Sequence, residues 1–312
     1  MTIEAYRGNG VDRTAESPSP DAVATERGQL ELSGVAASRW TTAPPLGQRD
    51  PSPGEPYLSV VVPAYREGPK IRRSLDLLGS ALDATGLSWE VVVVVDGNAG
   101  TLAEAGQIAS DRIRVVGYPD NRGKGYALRT GLCQCRGRVV AFIDADMEIA
   151  PVGLGQMVTL LELYQADIVV GSKRHPLSQV AYPLFRRVQS SAFQLLLHAL
   201  FRFDVRDTQT GLKVMRREVA TAVAHAAQVS RFAFDVELLA LARHFGFTRF
   251  MEAPVSIDYS FQTTTNPRAA LRALWDAAAI FYRLRIRHAY SMPSLQEAPA
   301  SGRLVSVGPS SR

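Results

Sequence analysis

Cysteine is scarce in this chain, and its scarcity excludes two kinds of site. Cys133 and Cys135 are the only cysteines among 312 residues. No second Cys/His cluster could complete a tetrahedral metal site with them, and a disulfide across this spacing would be strained. We interpret both as reduced residues on a helix, which fits a reducing compartment.

Several motifs of well-known enzyme classes are also missing. The five histidines form neither an H-x-x-x-H nor an H-E-x-x-H pattern, so a zinc hydrolase is not supported. The G-x-S-x-G motif of serine hydrolases and the Walker A pattern G-x-x-x-x-G-K-[ST] are absent too. These absences leave hydrolases of those types and P-loop NTPases without support.

Long apolar runs are lacking as well. No run approaches the roughly 20 apolar residues that span a bilayer, and no N-terminal stretch combines a basic start with an apolar region. We therefore predict a cytoplasmic protein that, if it works at a membrane, lies on the cytoplasmic surface.

The chain does contain enough apolar residues for one large core. It is 46% hydrophobic and 21% charged, and its net charge of +5 indicates anionic partners. Many basic proteins bind phosphates or acidic lipid surfaces rather than nucleic acid, and we predict no nucleic-acid partner.

Composition divides the chain into three parts. Residues 1–56 and 292–312 are rich in Pro, Ser, Gly and charge without apolar periodicity, which predicts disordered tails. The part between them, 57–291, contains no internal repeat and no linker, so we predict a single domain.

Apolar β-branched runs alternate with helical patterns through the first half of that domain. Continuous apolar runs indicate strands covered on both faces, hence a Rossmann-like, mostly parallel α/β sheet with helices on both faces. Such sheets bind ligands at the carboxyl ends of their strands. The predicted strands are 58–62, 91–95, 113–116, 139–143 and 168–170, and the predicted helices are 70–84, 102–109, 124–135 and 153–164.

The second half adds a long helix over 184–203, a helix over 235–244, two strands over 212–215 and 248–257, and a final helix over 267–290. In the final helix, apolar residues including Trp275 and Phe281 recur at three- and four-residue spacing beside arginines. This pattern is typical of an interfacial helix on anionic lipid. It is equally typical of a helix packed on its own sheet.

The strongest chemical signal is the acidic pair Asp144 and Asp146, which directly follows a predicted buried strand. Mg²⁺ or Mn²⁺ commonly combines one or two carboxylates with substrate phosphates, so the pair predicts a divalent-metal site. The alternative is an acidic loop that caps the helix beginning near Pro151.

Three further segments follow predicted strands. Asp96 ends the second strand and could accept hydrogen bonds from a base or ribose, or simply belong to a turn. Pro63-Ala64-Tyr65-Arg66-Glu67 ends the first strand. Asn121-Arg122-Gly123-Lys124-Gly125 opens a helix whose N-terminus could hold a diphosphate or merely be glycine-capped.

Taken together and in this order, the motifs resemble the inverting family 2 glycosyltransferases of GT-A fold. Two later segments, Asp207-Thr208-Gln209-Thr210-Gly211-Leu212-Lys213 and Arg231-Phe232-Ala233-Phe234-Asp235-Val236-Glu237-Leu238, are similar to segments of dolichyl- and polyprenyl-phosphate glucosyl- and mannosyltransferases. The resemblance covers roughly residues 58–290.

The resemblance implies a role for each motif. The nucleoside would bind at Pro63, Tyr65, Glu67 and Asp96, with Lys124 near the diphosphate. Asp144 and Asp146 would bind the sugar diphosphate and the metal.

Two positions depart from the family's pattern. Glu148 stands where relatives often place a third metal-facing side chain, frequently Gln. Many relatives have two adjacent aspartates where this chain has Val95 and Asp96.

The implied activity is a metal-dependent, inverting hexosyl transfer. Glucose or mannose would move from UDP-glucose or GDP-mannose to polyprenyl or dolichyl phosphate, giving a β-linked lipid phosphosugar. A phosphate monoester has a second pKa of about 6, so the acceptor needs no general base. Arg174 and Arg231 are the favoured catalytic anchors for its phosphate, ahead of Lys173 and Lys213.

Two alternatives stay open on the sequence. A soluble family 2 enzyme with a saccharide acceptor would need a base, for which Asp207 or Asp235 is the first candidate. A non-catalytic module that binds nucleotide sugars is the other.

Overall fold

The computed structural model describes residues 54–178, 184–231, 233–257, 267–292 and 304–307. The predicted N-terminal tail lies almost entirely outside these residues, as does most of the predicted C-terminal tail. Side chains in 184–192 and 267–271 are likewise outside the description.

Eight strands form one mixed sheet in the order β7-β5-β6-β4-β1-β2-β3-β8. Strands β4, β1, β2 and β3 run parallel, as do β5 and β7, whereas β6 is antiparallel to β4 and β5. This arrangement confirms the predicted, mostly parallel α/β sheet. The strands are β1 Leu58–Ala64, β2 Trp89–Asp96, β3 Ile113–Tyr118, β4 Val139–Ile143, β5 Ile168–Ser172, β6 Leu212–Arg216, β7 Phe250–Pro254 and β8 Val305–Val307.

Helices cover both faces of the sheet and explain its continuous apolar strands. In β1, Val61 packs into one core cluster while Val60 and Val62 pack into the other. Burying these side chains removes both faces of the strand from water, which is the main stabilising term. The helices are α1 Lys70–Asp83, α2 Ala99–Gly106, α3 Lys124–Leu132, α4 Leu154–Leu163, α5 Leu184–Phe201, α6 Arg217–Ala226, α7 Phe234–His244 and α8 Pro267–Arg285.

Several element boundaries differ from the prediction. Helix α2 begins earlier because the Asn98 side chain accepts the Thr101 N–H at 2.8 Å and caps it. Helix α3 ends at Leu132, so Cys133 and Cys135 follow the helix instead of lying on it; both are free thiols. Helix α6 was not predicted, and no side chain caps its N-terminus.

Strand β8 corrects the predicted C-terminal tail. Residues Val305–Val307 pair antiparallel with β3 and are not part of an irregular tail. A three-residue strand is too short for its periodicity to stand out in the sequence.

Helix α8 packs against the protein through a face that differs from the apolar stripe predicted from the sequence. Ala277, Ile280 and Leu284 are buried, whereas Leu274 and Trp275 are exposed, Trp275 at 76%. No helix in the described part of the chain is long and apolar enough to cross a membrane.

Candidate active site

A cleft of about 710 Å³ opens where the carboxyl ends of β1, β2 and β4 meet. The predicted motifs converge there because each directly follows one of these strands or begins α3. The cleft is lined by Pro63, Tyr65, Glu67, Asp96, Lys124, Asp144, Asp146, Glu148 and Arg231, together with neighbouring residues. Among the described residues that the sequence named as candidates, Arg174, Lys213 and Asp207 are not among those lining the cleft.

Lys173 takes the place in the cleft that the sequence favoured for Arg174. Its backbone N–H donates to Asp207 Oδ2 at 3.0 Å, and its ammonium lies 3.4 Å from Glu148 Oε1. The Arg174 N–H donates at 3.2 Å to the hydroxyl of Ser172, the last residue of β5. Of these two cations, Lys173 is the one that lines the cleft.

The acidic pair sits in a tight turn after β4. The Met147 N–H donates to the Asp144 carbonyl at 3.1 Å, and the Glu148 N–H donates to Asp146 Oδ1 at 3.1 Å. Met147 has a φ of 50°, an uncommon value that marks the sharp reversal of the chain. The turn presents Asp144 and Asp146 to the same cleft.

Gly211 packs directly against the Asp144 carboxylate. Its carbonyl accepts the Asp144 N–H at 3.2 Å, and a Cβ built on Gly211 would lie 1.9 Å from Asp144 Oδ2. This close approach follows from the antiparallel pairing of β6 with β4, in which Ile143 faces Leu212. Only glycine leaves room for the carboxylate.

Four charged side chains form a chain of ion pairs behind the acidic turn. Lys124 Nζ lies 2.7 Å from Asp144 Oδ1 and 3.6 Å from Asp235 Oδ2, and Lys213 Nζ lies 2.5 Å from Asp235 Oδ1. Although burial opposes the charged ammonium, Asp144 and Asp235 hold the pKa of Lys124 above its usual range. Lys124 therefore stays cationic at the base of the cleft.

The cleft carries a surplus of negative charge. Six carboxylates and three cationic side chains line it. Desolvation raises the pKa of Asp144, although its side chain is 39% exposed and Lys124 opposes the shift. Desolvation and then the charge of Asp146 raise the pKa of Glu67. Crowded carboxylates of this kind favour a bound cation.

The predicted divalent-metal site is matched in part by the oxygen atoms that line the cleft. Asp144 and Asp146 offer hard oxygen ligands in the cleft, which suits Mg²⁺ or Mn²⁺ that also binds substrate phosphates. However, no group of three His, Cys, Asp or Glu side chains in the described ranges is placed to hold a metal. Glu148, the predicted third ligand, also lines the cleft and lies 3.4 Å from the Lys173 ammonium.

Asp96 braces the wall of the cleft. Its two carboxylate oxygens accept the N–H groups of Arg122 at 2.7 Å and Gly123 at 2.8 Å. Gly97 has a φ of 67°, and a Cβ there would lie 2.2 Å from the Asn121 nitrogen. Asp96 thus lines the cleft and also fixes the loop before α3, while its binding of a nucleoside stays a prediction.

Lys213 is not the phosphate anchor that the sequence suggested. It is 0% exposed, and its ammonium donates to the Thr210 carbonyl and to Asp235. Gln209 and Gly211 also line the cleft. The sequence did not predict this, although both residues belong to one of the segments that resemble the family.

Replacing Lys213 with methionine is expected to lower the free energy of unfolding by about 3 kcal/mol, because it leaves Asp235 buried with Lys124 as its remaining cation. Urea denaturation would measure the change. Arg243→Met, which breaks the more exposed pair with Asp204, should cost less than about 1 kcal/mol. Equal losses in the two variants would contradict a buried structural pair.

Comparison with known proteins identifies the class to which this fold and cleft belong. Residues 59–224, more than half of the chain, match the family model described as Glycosyl transferase family 2. The chain belongs to this family, as its motifs indicated.

Curated relatives narrow the similarity further. The chain is 33% identical over 209 residues to a human protein named dolichyl-phosphate beta-glucosyltransferase, covering 60% of this chain and 63% of that protein. It is 32% identical over 206 residues to the Drosophila melanogaster protein of the same name, with the same coverage of both chains. The chain therefore spans less than two thirds of the length of these relatives.

Solved structures share the fold. Mannosyl-3-phosphoglycerate synthase from Rubrobacter xylanophilus superposes with a TM-score of 0.59 at 18% identity, covering 79% of each chain. Glucosyl-3-phosphoglycerate synthase from Mycobacterium tuberculosis, solved with Mn²⁺ and UDP, gives 0.54 at 20% identity, covering 73% of this chain and 79% of that one. The fold is therefore GT-A, as predicted.

Proposed function

We propose that this protein transfers a glucosyl residue from a nucleotide diphosphate donor, UDP-glucose in the first instance, to polyprenyl or dolichyl phosphate with inversion. The observation that carries the proposal is the cleft itself, which is lined both by the acidic pair Asp144 and Asp146 and by the cationic residues Lys173 and Arg231. The relatives named dolichyl-phosphate beta-glucosyltransferase support the choice of sugar and acceptor.

The donor half of the site is the acidic turn with the loops after β1 and β2. Pro63, Tyr65 and Glu67 line the cleft beside Asp96 and would receive the nucleoside. Asp144 and Asp146 would hold Mg²⁺ or Mn²⁺, which neutralises the charge that develops on the leaving diphosphate. The Mn²⁺ and UDP of the Mycobacterium structure make this pairing the first to test.

The acceptor phosphate would bind at the cationic residues that line the cleft. A lipid phosphate arrives with its attacking oxygen already anionic at neutral pH, so positioning matters more than proton removal. Arg231 and Lys173 both line the cleft and supply the positive charge that such an acceptor needs.

The two carboxylates first considered as a general base for a sugar acceptor are both engaged elsewhere. Asp235 Oδ1 lies 2.5 Å from the buried Lys213 ammonium, and Asp207 Oδ2 accepts the Lys173 N–H. This engagement favours an acceptor that brings its own anionic oxygen over a saccharide hydroxyl.

The reaction is a single displacement. The acceptor phosphate oxygen bonds to the anomeric carbon while the bond from that carbon to the donor diphosphate breaks, and the nucleoside diphosphate leaves with the electron pair. Attack from the opposite side turns an α-linked donor into a β-linked lipid phosphosugar.

Exposed apolar side chains support docking on a membrane surface, which we propose to be the cytoplasmic one. Leu195 on α5 is 71% exposed, and Trp275 on α8 is 76% exposed. The two helices contact each other, and the exposed arginines Arg272 and Arg285 lie on α8. Aromatic and aliphatic groups beside arginine suit anionic lipid headgroups.

Incubating the protein with radiolabelled UDP-glucose or GDP-mannose, Mn²⁺ and polyprenyl phosphate tests the proposal. We expect a chloroform-soluble, labelled product from UDP-glucose. A chloroform-soluble product labelled from GDP-mannose instead would refute glucose as the transferred sugar and still support the lipid acceptor. A labelled product only with added oligosaccharide would favour the soluble transferase, and no turnover with any donor would favour a binding module.

A further inference from the structure

Glu237 is a fully buried carboxylate outside the cleft. It lies in the first turns of α7 and is 0% exposed. Its Oε2 accepts the backbone N–H groups of Gln228 at 3.1 Å and Val229 at 2.7 Å, and its Oε1 accepts the Tyr290 hydroxyl at 2.5 Å. A buried charge is tolerated only with such partners. The Glu237 carboxylate therefore holds these N–H groups and the Tyr290 hydroxyl in place.

The loop that Glu237 binds is the one that carries Arg231 into the cleft. This loop, residues 228–231, lies between α6 and α7 in the chain. A single residue, Ser230, separates Val229, whose N–H Glu237 accepts, from Arg231, which lines the cleft. A shift of the backbone at Val229 therefore moves the Arg231 guanidinium.

The same loop closes against the N-terminus of α3. The Ser230 carbonyl accepts the Tyr126 N–H at 3.1 Å. A Cβ on Gly123 would lie 2.4 Å from that carbonyl, and a Cβ on Gly125 would lie 2.6 Å from the Val229 carbonyl. The loop and the N-terminus of α3 are therefore in close backbone contact. They can pack in this way only if the backbone of residues 228–231 is held in one position.

We propose that Glu237 is a positioning residue for the transfer reaction, which holds residues 228–231 so that Arg231 meets the acceptor phosphate. This inference rests on the proposed function for the identity of the acceptor. The placement of the loop by Glu237 does not depend on it.

The carboxylate also joins the loop to the last helix. Tyr290 follows α8, and Arg283 on α8 lies 3.9 Å from Glu237 Oε1. Burial and then the charge of Glu237 raise the pKa of Tyr290, so the phenol stays protonated and keeps donating. Tyr290 bonds Oε1 whereas the loop N–H groups bond Oε2, so replacing Tyr290 with phenylalanine removes one partner of the carboxylate and leaves the acceptor of the loop in place.

Glu237→Met tests the proposal because it leaves the Gln228 and Val229 N–H groups without their acceptor. We expect the KM for farnesyl phosphate, used as a soluble acceptor, to rise about 10-fold, with the KM for UDP-glucose changed less than about 2-fold. Glu237→Gln should restore most of the acceptor KM, because an amide oxygen can accept both N–H groups. Tyr290→Phe is the matched control and should leave the acceptor KM unchanged.

A double-mutant cycle with Arg231→Gln separates positioning from general destabilisation. If Glu237 acts through Arg231, Glu237→Met should add little to the acceptor KM of Arg231→Gln. Additive effects, or equal losses in both KM values, would overturn the proposal. If Glu237→Met does not fold, Glu237→Asp carries the same cycle, because the shortened side chain withdraws its carboxylate from the loop.

Amide hydrogen exchange tests, without any substrate, whether Glu237 holds the loop in place. Exchange at residues 228 and 229 should be faster in Glu237→Met or Glu237→Asp than in the wild type and unchanged in Tyr290→Phe. Unchanged exchange in the Glu237 variants would refute the role of this carboxylate. If the wild type makes no lipid product, the proposed function falls, and the exchange result still stands for or against Glu237.

Discussion

Changing Asp146 to asparagine is expected to lower kcat/KM for glucosyl transfer at least about 100-fold, since loss of even an outer-shell partner of a metal ligand commonly costs 10–100-fold. Asp146 is exposed to the cleft, and the one described hydrogen bond of its carboxylate is with the Glu148 N–H, so the substitution removes charge with little effect on packing. Steady-state kinetics over a Mn²⁺ titration would measure it, and the Mn²⁺ concentration for half-maximal activity should rise.

Asp83→Asn provides the matched control for the loss of one carboxylate. Asp83 lies at the end of α1, where it pairs with Arg112, and it does not line the cleft. We expect its activity and metal requirement to equal those of the wild type. An Asp146→Asn enzyme with an unchanged response to Mn²⁺ would refute the metal role of the acidic pair.

A single methyl group at Gly211 is expected to reduce activity about 100-fold, because misplacing a reacting group by about 1 Å can cost that much. The Cβ of Gly211→Ala would lie 1.9 Å from Asp144 Oδ2, so the carboxylate must move. Asp144 would then lose its 2.7 Å contact with Lys124 as well. The rate of transfer, compared with Tm, would separate this displacement from unfolding.

Gly153→Ala is the corresponding control. A Cβ at Gly153 meets nothing within 4 Å, and its φ of −71° suits alanine. This variant should keep wild-type activity. A Gly211→Ala enzyme that also keeps full activity would show that the position of Asp144 does not limit transfer.

The parallel half of the sheet could be predicted because continuous apolar runs in the sequence indicate buried strands. Five consecutive valines, residues 91–95, are each no more than 1% exposed in β2. A run of this kind is compatible only with a strand covered on both faces. Three parts of the cleft followed from the same signal, because Pro63-Ala64-Tyr65-Arg66-Glu67, Asp96 and the acidic pair each lie at the end of such a strand.

The antiparallel strand β6 was predicted as a strand but not as a neighbour of β4. No local pattern in residues 212–216 states that β6 lies between β4 and β5, because strand order is a property of the whole chain. The contact of Gly211 with Asp144 and the burial of Lys213 both follow from that order. These two features were therefore out of reach of local sequence reasoning.

Glu237 shows the same limit for a single side chain. The sequence places it on an apolar helix, where a charged residue usually faces solvent. Its partners, the N–H groups of residues 228 and 229 and the Tyr290 hydroxyl, come from two separate segments. Tertiary contacts over 53 residues of chain made it a buried acceptor.

Strand β8 has a consequence for handling the protein. By pairing with β3, residues Val305–Val307 occupy backbone groups that would otherwise face solvent along one margin of the sheet. A truncation before residue 304 would bare those groups on β3 and offer them to a strand of another molecule. Expression tags and truncations that spare this short segment should thus give the less aggregation-prone preparation.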